Sequence, residues 1–147
     1  PSALATTSCE RRPLDLRLSP LSTPSWASGD ADRLDIVSIF SRIIAREIPA
    51  DIVWESDDLI AFRDIAPQAP VHILVVPKTP EYANVAELAV GDPQLLIDLV
   101  EAAQDIAHDH ANGEFRLVFN SGETAGQTVF HVHAHVLAGG LNEGSLG

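Results

Sequence analysis

Three histidines alternate with small or β-branched residues near the end of the chain, in the stretch Val129-Phe130-His131-Val132-His133-Ala134-His135-Val136-Leu137. Strict alternation predicts a β-strand, because successive side chains of a strand point to opposite faces. The apolar face, which we expect to enter a core, consists of Val132, Ala134 and Val136. The opposite face consists of His131, His133 and His135. On such a strand neighbouring histidines lie about 6–7 Å apart and the outer pair about 13 Å apart.

Two simpler explanations of this row compete with catalysis. Histidines can fill a strand, but three groups with a pKa of about 6.5 on one face disfavour their joint protonation. Alternate histidines can also bind zinc, which needs nitrogens about 2 Å away, yet the outer pair of an unbent strand does not easily reach one ion. No cysteine lies nearby to complete such a site. We therefore expect nucleophilic or acid–base catalysis by the imidazoles, with no metal and no cofactor.

The same residues resemble a known family signature. The run His131-Val132-His133-Ala134-His135-Val136-Leu137 is similar to the histidine-triad motif, His-φ-His-φ-His-φ-φ with φ apolar. Gly139-Gly140 follows, and upstream blocks agree, so the resemblance is to the Hint branch, the histidine-triad nucleotide-binding proteins. It spans about Asp35 to Gly140 and implies a homodimer that cleaves P–N bonds of purine nucleoside 5′-phosphoramidates such as AMP amides.

Composition limits the partners of the chain. A length of 147 residues suits one domain with an ordinary core. The net charge of -12 repels nucleic acid and anionic membranes, so we expect neither as a partner. A single cysteine, Cys9, excludes an intrachain disulfide framework. No apolar run has the length of a membrane span or a signal peptide. These features predict a cytoplasmic protein.

The chain divides into an extension and a folded part. Residues 1–31 are rich in Ser, Thr and Pro and cannot bury enough apolar surface to offset their ordering entropy. We predict a flexible extension there, with a docking peptide or an extra edge strand as the alternative. Residues 32–147 form the predicted domain, which the resemblance identifies as a histidine-triad domain.

Capping signals predict two helices. Acidic residues between Asp32 and Asp35 suit a helix N-terminus, and Pro49 is expected to end that helix. Its apolar face consists of Ile36, Ile39, Phe40, Ile43 and Ile44. Asp92-Pro93 begins a long helix, which Asn112-Gly113 ends. This long helix is also the expected dimer interface.

Short β-type runs supply the strands. Three of them, with turns between, predict an antiparallel meander at residues 52–55, 59–63 and 71–76. A fourth covers Arg116 to Asn120, and the histidine strand is the last. We therefore predict an α+β fold, in which an antiparallel sheet of about five strands carries one N-terminal helix and one long helix.

The loop from Ser121 to Thr128 precedes the histidines and contains two glycines. Its consecutive amides and hydroxyls can cradle a phosphate, although similar loops occur in ordinary hairpins. The resemblance implies that four residues hold the phosphate and the ribose: Asn120, Gly126, Gln127 and Thr128, the last replacing the usual serine.

The resemblance also implies a nucleoside site. Phe40 and Ile43 would wall the purine pocket, although each is equally well explained as a core residue. Asp64 ends the second strand and is either a turn cap or the acceptor for a ribose diol, which the resemblance favours. Further nucleoside contacts are implied for Phe62, Arg63 and Ile65.

His72 stands at a place where some members of the family use a histidine, with cysteines, to hold structural zinc. Here Leu59 stands at the corresponding upstream position and no cysteine is near. We expect His72 to be metal-free and to act as a structural partner at the edge of the site.

A mechanism follows from the resemblance. His133 attacks the α-phosphate and forms a nucleotidyl-histidine that water cleaves, provided that a backbone carbonyl fixes its other nitrogen. His135 donates to the phosphate or the leaving group, and His131 orients the row. Two alternatives remain: a dinucleoside polyphosphate hydrolase or phosphorylase, and a nucleotide-binding scaffold with little turnover. The tail from Leu141 onward lacks the aromatic, proline-bearing ending of animal relatives, which leaves the leaving group open.

Overall fold

The computed structural model describes residues 39–144. The predicted extension at residues 1–31, Cys9 and the start of the first helix lie outside this range. Helix α1 covers residues 39–44 within it. The helix ends earlier than Pro49, because Arg46 adopts a left-handed conformation with φ of 64° that breaks the helical path. The Arg46 side chain pairs with Glu55 and thereby joins the end of α1 to the sheet.

Within residues 39–144, five antiparallel strands form one sheet, as the sequence predicted. They are β1 (Ile52–Glu55), β2 (Leu59–Arg63), β3 (Val71–Pro77), β4 (Arg116–Val118) and β5 (Ala134–Ala138). Their spatial order is β1-β2-β3-β5-β4, so the predicted meander of the first three strands is confirmed. The last strand enters the sheet between β3 and β4, with Val75 opposite Ala134 and Val118 opposite His135.

The last strand begins at Ala134, not at Val129 as predicted. Continuing the ladder would bring Val132 opposite Pro77, which has no N–H to donate. The Pro77 carbonyl instead accepts a hydrogen bond from the His131 ring, and the Val132 N–H donates to the Tyr82 carbonyl at 2.9 Å. His131 and His133 therefore lie in the segment that leads into the strand.

Two further helices follow β3. Helix α3 (Pro93–His110) begins as predicted, with Asp92 accepting from the Leu95 N–H at 3.1 Å. Helix α2 (Val85–Gly91) was not predicted. Asn84 accepts from the Glu87 N–H, and the Glu87 carboxylate accepts from the Ala83 N–H, so a reciprocal cap starts this helix. Along the described residues, no helix is long and apolar enough to cross a bilayer.

The sheet separates two hydrophobic clusters. On one face α3 packs against inward residues of the strands, among them Leu59, Ile73 and Val136. On the other face α1 covers the second cluster, which consists of Phe40, Ile43, Ile60, Phe62, Leu74 and Val76. Since side chains alternate along a strand, His72 and His135 belong to the α1 face. The fold thus places the candidate site on the side of the sheet away from α3.

Candidate functional site

The ring of His133 is held in one tautomer by the backbone. Its Nδ1 lies 2.9 Å from the carbonyl oxygen of His131, which can only accept a hydrogen bond. The proton of the neutral ring is therefore on Nδ1, and Nε2 carries a lone pair. Burial lowers the pKa of His133, against the opposing effect of the bond to His131. A neutral imidazole with a free Nε2 lone pair has the form that a nucleophile requires.

His135 lies beside His133, with ring centroids 5.1 Å apart. Its Nδ1 is 2.9 Å from Nε2 of His72, and its own Nε2 is buried without a hydrogen-bond partner among the described residues. Burial, with smaller contributions from His133 and His72, lowers the pKa of His135 to about 4. His135 is therefore neutral at pH 7.

His131 is fully buried and cannot meet a substrate directly. Its Nε2 donates to the Pro77 carbonyl at 2.6 Å, which ties the histidine segment to the end of β3. Burial lowers the pKa of His131 as well, so this ring is also neutral at pH 7. The contact suits the orienting role expected for His131.

Aromatic rings from α1 and β2 adjoin the histidines. The ring of Phe40 stands edge-on to His133 at 5.1 Å, to His131 at 5.9 Å and to Phe62 at 5.8 Å. Phe40, Ile43 and Phe62 are all buried, as either a pocket wall or a core requires. The structure therefore brings the predicted aromatic residues together with the three histidines.

Asp64 is a turn cap, one of the two roles that the sequence left open, and its second oxygen faces His72. One carboxylate oxygen accepts from the Ala66 N–H at 2.8 Å, which is a turn cap. The other lies 3.3 Å from Nε2 of His72. The side chain is 20% exposed, so a hydroxyl group from solvent can still reach it. Ile65, the next residue, is fully exposed.

Arg63 is not brought together with the other site residues. It alternates with Phe62 along β2 and so points to the opposite side of the sheet. There it pairs with Asp51 at 3.2 Å and contacts Nδ1 of His110 at 3.4 Å. These contacts give Arg63 a structural role on the α3 side of the sheet.

The loop before the histidines differs from the expected open cradle. The N–H groups of Gly122, Ala125, Gly126 and Gln127 all donate within the loop itself, around a short 3₁₀ turn at Glu123–Ala125. Gly126 has φ of 94°, and a Cβ built there would lie 3.9 Å from the Asn120 side chain. Those four amides are therefore already hydrogen-bonded within the loop in this conformation. Of the four residues expected to hold the phosphate and the ribose, Asn120 and Thr128 still offer polar side chains.

Gln127 is buried, and its side chain is engaged by the protein. Oε1 accepts from the Gly122 N–H at 2.8 Å, while Nε2 donates to the carbonyls of Ala83 at 2.5 Å and Val129 at 3.0 Å. The Gln127 side chain therefore fastens the loop to the segment before α2. Its N–H donates to the Gly122 carbonyl as well, so in this conformation no donor of Gln127 is open to a phosphate.

One group of side chains has the spacing of a metal site among the described residues. Ligand atoms of Asp64, His72 and His135 all lie within 4.8 Å of one another. Two imidazoles and a carboxylate are suitable ligands for zinc and iron. The Gln68 N–H lies 2.9 Å from Nδ1 of His72 and can only donate, so the proton of the neutral His72 ring is on Nε2, the nitrogen that faces His135.

Comparison with known proteins agrees with this geometry. The HIT domain family matches residues 45–141. An uncharacterised HIT-like protein of Synechococcus elongatus is 52% identical over 103 residues, covering 69% of this chain and 90% of that protein. The purine nucleoside phosphoramidase of Escherichia coli is 42% identical over 104 residues, covering 69% and 87%. A solved HIT family hydrolase from Clostridium thermocellum matches with a TM-score of 0.66 and 44% identity, over 74% of this chain and 92% of that one.

Proposed function

Since this chain belongs to the HIT family, we propose that it is a nucleotide hydrolase that cleaves the P–N bond of purine nucleoside 5′-phosphoramidates. The observation that carries the proposal is the hydrogen bond from Nδ1 of His133 to the His131 carbonyl, which leaves Nε2 with a lone pair. The 42% identical relative named purine nucleoside phosphoramidase supports the substrate class.

The proposed reaction has two displacement steps at the α-phosphorus. In the first, Nε2 of His133 forms a bond to phosphorus while the bond to the leaving nitrogen breaks, and that nitrogen departs as an amine after taking a proton. In the second, water attacks the phosphorus and gives up a proton, which replaces the one that the leaving nitrogen took; the bond to His133 breaks, and a nucleoside monophosphate is released. Splitting the hydrolysis into two steps is the usual advantage of a covalent intermediate.

His135 is the proposed donor to the phosphate or the leaving nitrogen. Its ring adjoins His133 and its buried Nε2 has no partner in the described part of the chain. The pKa of His135 is about 4 in the free protein, mainly because of burial. A bound phosphate anion raises the pKa of a nearby imidazole, so substrate binding itself favours a proton on this ring.

The nucleoside is proposed to lie along the α1 face. Phe40, Ile43 and Phe62 form an apolar cluster next to His133, which suits the face of a purine. Ile65 is a fully exposed aliphatic residue that a base or ribose would cover. Asp64, with one oxygen directed toward the histidines, is the proposed acceptor for the ribose hydroxyls.

The test compares two substrates. Adenosine 5′-phosphoramidate and diadenosine tetraphosphate are supplied to the wild type, to His133→Asn and to the surface control His108→Asn. We expect release of AMP from the phosphoramidate by the wild type and the control, and none by His133→Asn. Faster cleavage of the tetraphosphate would favour the polyphosphate hydrolase alternative. Nucleotide binding with no cleavage of either compound would favour the scaffold.

A homodimer is part of the proposal. On α3, Ile97 is 50% exposed and Val100 is 41% exposed, one helical turn apart. These apolar residues support association of two copies. Light scattering after size-exclusion chromatography is expected to give twice the chain mass, and a monomeric mass for the wild type would contradict it.

A further inference from the structure

The peptide group between His131 and Val132 is hydrogen-bonded at both ends. Its carbonyl accepts from Nδ1 of His133 at 2.9 Å, and its N–H donates to the Tyr82 carbonyl at 2.9 Å. A trans peptide group is planar, with its N–H and C=O pointing in opposite directions. The bond to Tyr82 therefore fixes the direction of the carbonyl that holds the His133 ring.

The peptide group between Tyr82 and Ala83 is engaged in the same way. Its carbonyl accepts from the Val132 N–H, and its own N–H donates to the Glu87 carboxylate at 2.6 Å. A continuous line of hydrogen bonds thus joins Glu87 on α2 to Nδ1 of His133 through two peptide groups. All its bonds run from donor to acceptor in the same sense, so each bond polarises the next.

The end of the line at Glu87 is held by α2. The Asn84 side chain accepts from the Glu87 N–H at 2.9 Å, and the next residue, Leu88, is buried in the core that α3 covers. The ring of Tyr82 lies so close to Gly91 that a Cβ there would collide with it. The carboxylate and the turn before α2 are therefore fixed relative to each other.

We propose that Glu87 is a positioning residue for the nucleophile, because it holds the His131 carbonyl against Nδ1 of His133 through the two peptide groups. What His133 attacks rests on the proposed function. When Nε2 gives its lone pair to phosphorus, the ring keeps its proton on Nδ1 and becomes an imidazolium, so the carbonyl then accepts from a charged donor. The Glu87 carboxylate strengthens that acceptor, since it increases the partial negative charge on the His131 oxygen.

Capping of α2 is the simpler explanation of the Glu87 contact, and the two halves of the cap separate the explanations. Asn84→Ala removes one bond of the cap and leaves the line to His133 in place. Glu87→Ala breaks the line, whereas Glu87→Gln keeps an oxygen that can accept from the Ala83 N–H. Glu101→Ala, at an exposed glutamate on α3, is the control for loss of a surface charge.

The substrates are adenosine 5′-phosphoramidate and the p-nitrophenyl ester of AMP, and the measurement is the single-turnover rate at saturation. We expect Glu87→Ala to lower this rate about tenfold on both substrates, with the half-saturating concentration within about twofold, because a misdirected nucleophile slows the attack whichever group leaves. Glu87→Gln should recover most of the loss, and both control variants should stay close to the wild type. An unchanged rate in Glu87→Ala, an equal loss in Asn84→Ala, or no recovery by glutamine would overturn the proposal.

NMR of the His133 ring provides a readout that needs no turnover. In the wild type we expect nitrogen-15 shifts of a protonated Nδ1 and an unprotonated Nε2, with the Nδ1 proton far downfield. Glu87→Ala should move that proton upfield and Glu87→Gln should restore it, whereas a less stable helix alone would leave it unmoved in the folded protein. An unmoved proton would overturn the proposal, even if the enzyme cleaves phosphoramidates. If the proton moves but neither substrate is cleaved, the proposed function fails and the positioning of His133 stands.

Discussion

Lowering the pH should destabilise this protein even at pH values where its carboxylates are still ionised. Burial lowers the pKa of His131, His133 and His135 in the folded state. A histidine with a lower pKa when folded binds its proton more weakly than in the unfolded chain, so protons favour unfolding. The contribution of each neutral ring to the free energy of unfolding is complete above pH 6.5. It is lost as the pH falls from there toward the pKa that the ring has in the folded state.

The size of this loss of stability follows from the pKa of His135. Its pKa falls from 6.5 to about 4, so its contribution to the free energy of unfolding drops by about 2 kcal/mol between pH 7.5 and pH 5. The ring is only partly buried, and solvent screening reduces this to about 1 kcal/mol. His131 and His133 act in the same direction, so the total loss exceeds that of His135 alone.

Urea unfolding at several pH values from 7.5 to 5 measures the effect. The difference between the wild type and His135→Gln isolates the ring, because general charge repulsion is the same in both. We expect the stability of the wild type relative to this variant to fall by about 1 kcal/mol over that range. A difference that stays constant, or that grows in favour of the wild type at pH 5, would refute the reasoning.

Three further predictions follow from the same contacts. Replacing Gln127 with leucine leaves three backbone groups without their partner, so the free energy of unfolding should fall by about 2–4 kcal/mol in urea titrations, whereas the exposed control Gln104→Leu should change it by less than about 0.5 kcal/mol. Phe40→Leu keeps an apolar side chain but loses the ring edge against His133, so KM for the phosphoramidate should rise severalfold with a smaller change in kcat, and an unchanged KM would contradict a place for Phe40 in the purine pocket. Turnover should survive EDTA, because the proposed steps use only imidazoles; a loss that zinc restores would contradict this.

Elements with a local signal were predictable from the sequence. Asp92-Pro93 starts α3 as expected, because the cap and the proline act on adjacent residues. The end of that helix also agrees, with Gly113 at φ of 87° just beyond it. Helix α2 carried an equally local signal in Asn84 and Glu87, which a search for reciprocal caps would have found.

What depends on distant parts of the chain was not predictable in this way. The start of β5 is set by Pro77, which belongs to another strand and cannot extend the ladder. The side chain of Gln127 is held by a hydrogen bond to the Ala83 carbonyl, which is far away in sequence.

The position of Arg63 had a local signal. The resemblance assigned Arg63 to the nucleoside, whereas alternation along β2 from Phe62 places it on the other face of the sheet.

The central claim is that His133 is the nucleophile, and an intermediate trapped on it is the most direct test. A reaction with adenosine 5′-phosphoramidate is quenched early in alkali, which preserves phosphorus bonds to histidine. Trypsin leaves all three site histidines in one peptide, because no Lys or Arg follows Arg116, so fragmentation in the mass spectrometer must locate the adduct. We predict an adenylyl group on His133 and none in His133→Asn. Steady turnover with no adduct, or an adduct on another residue, would contradict the account.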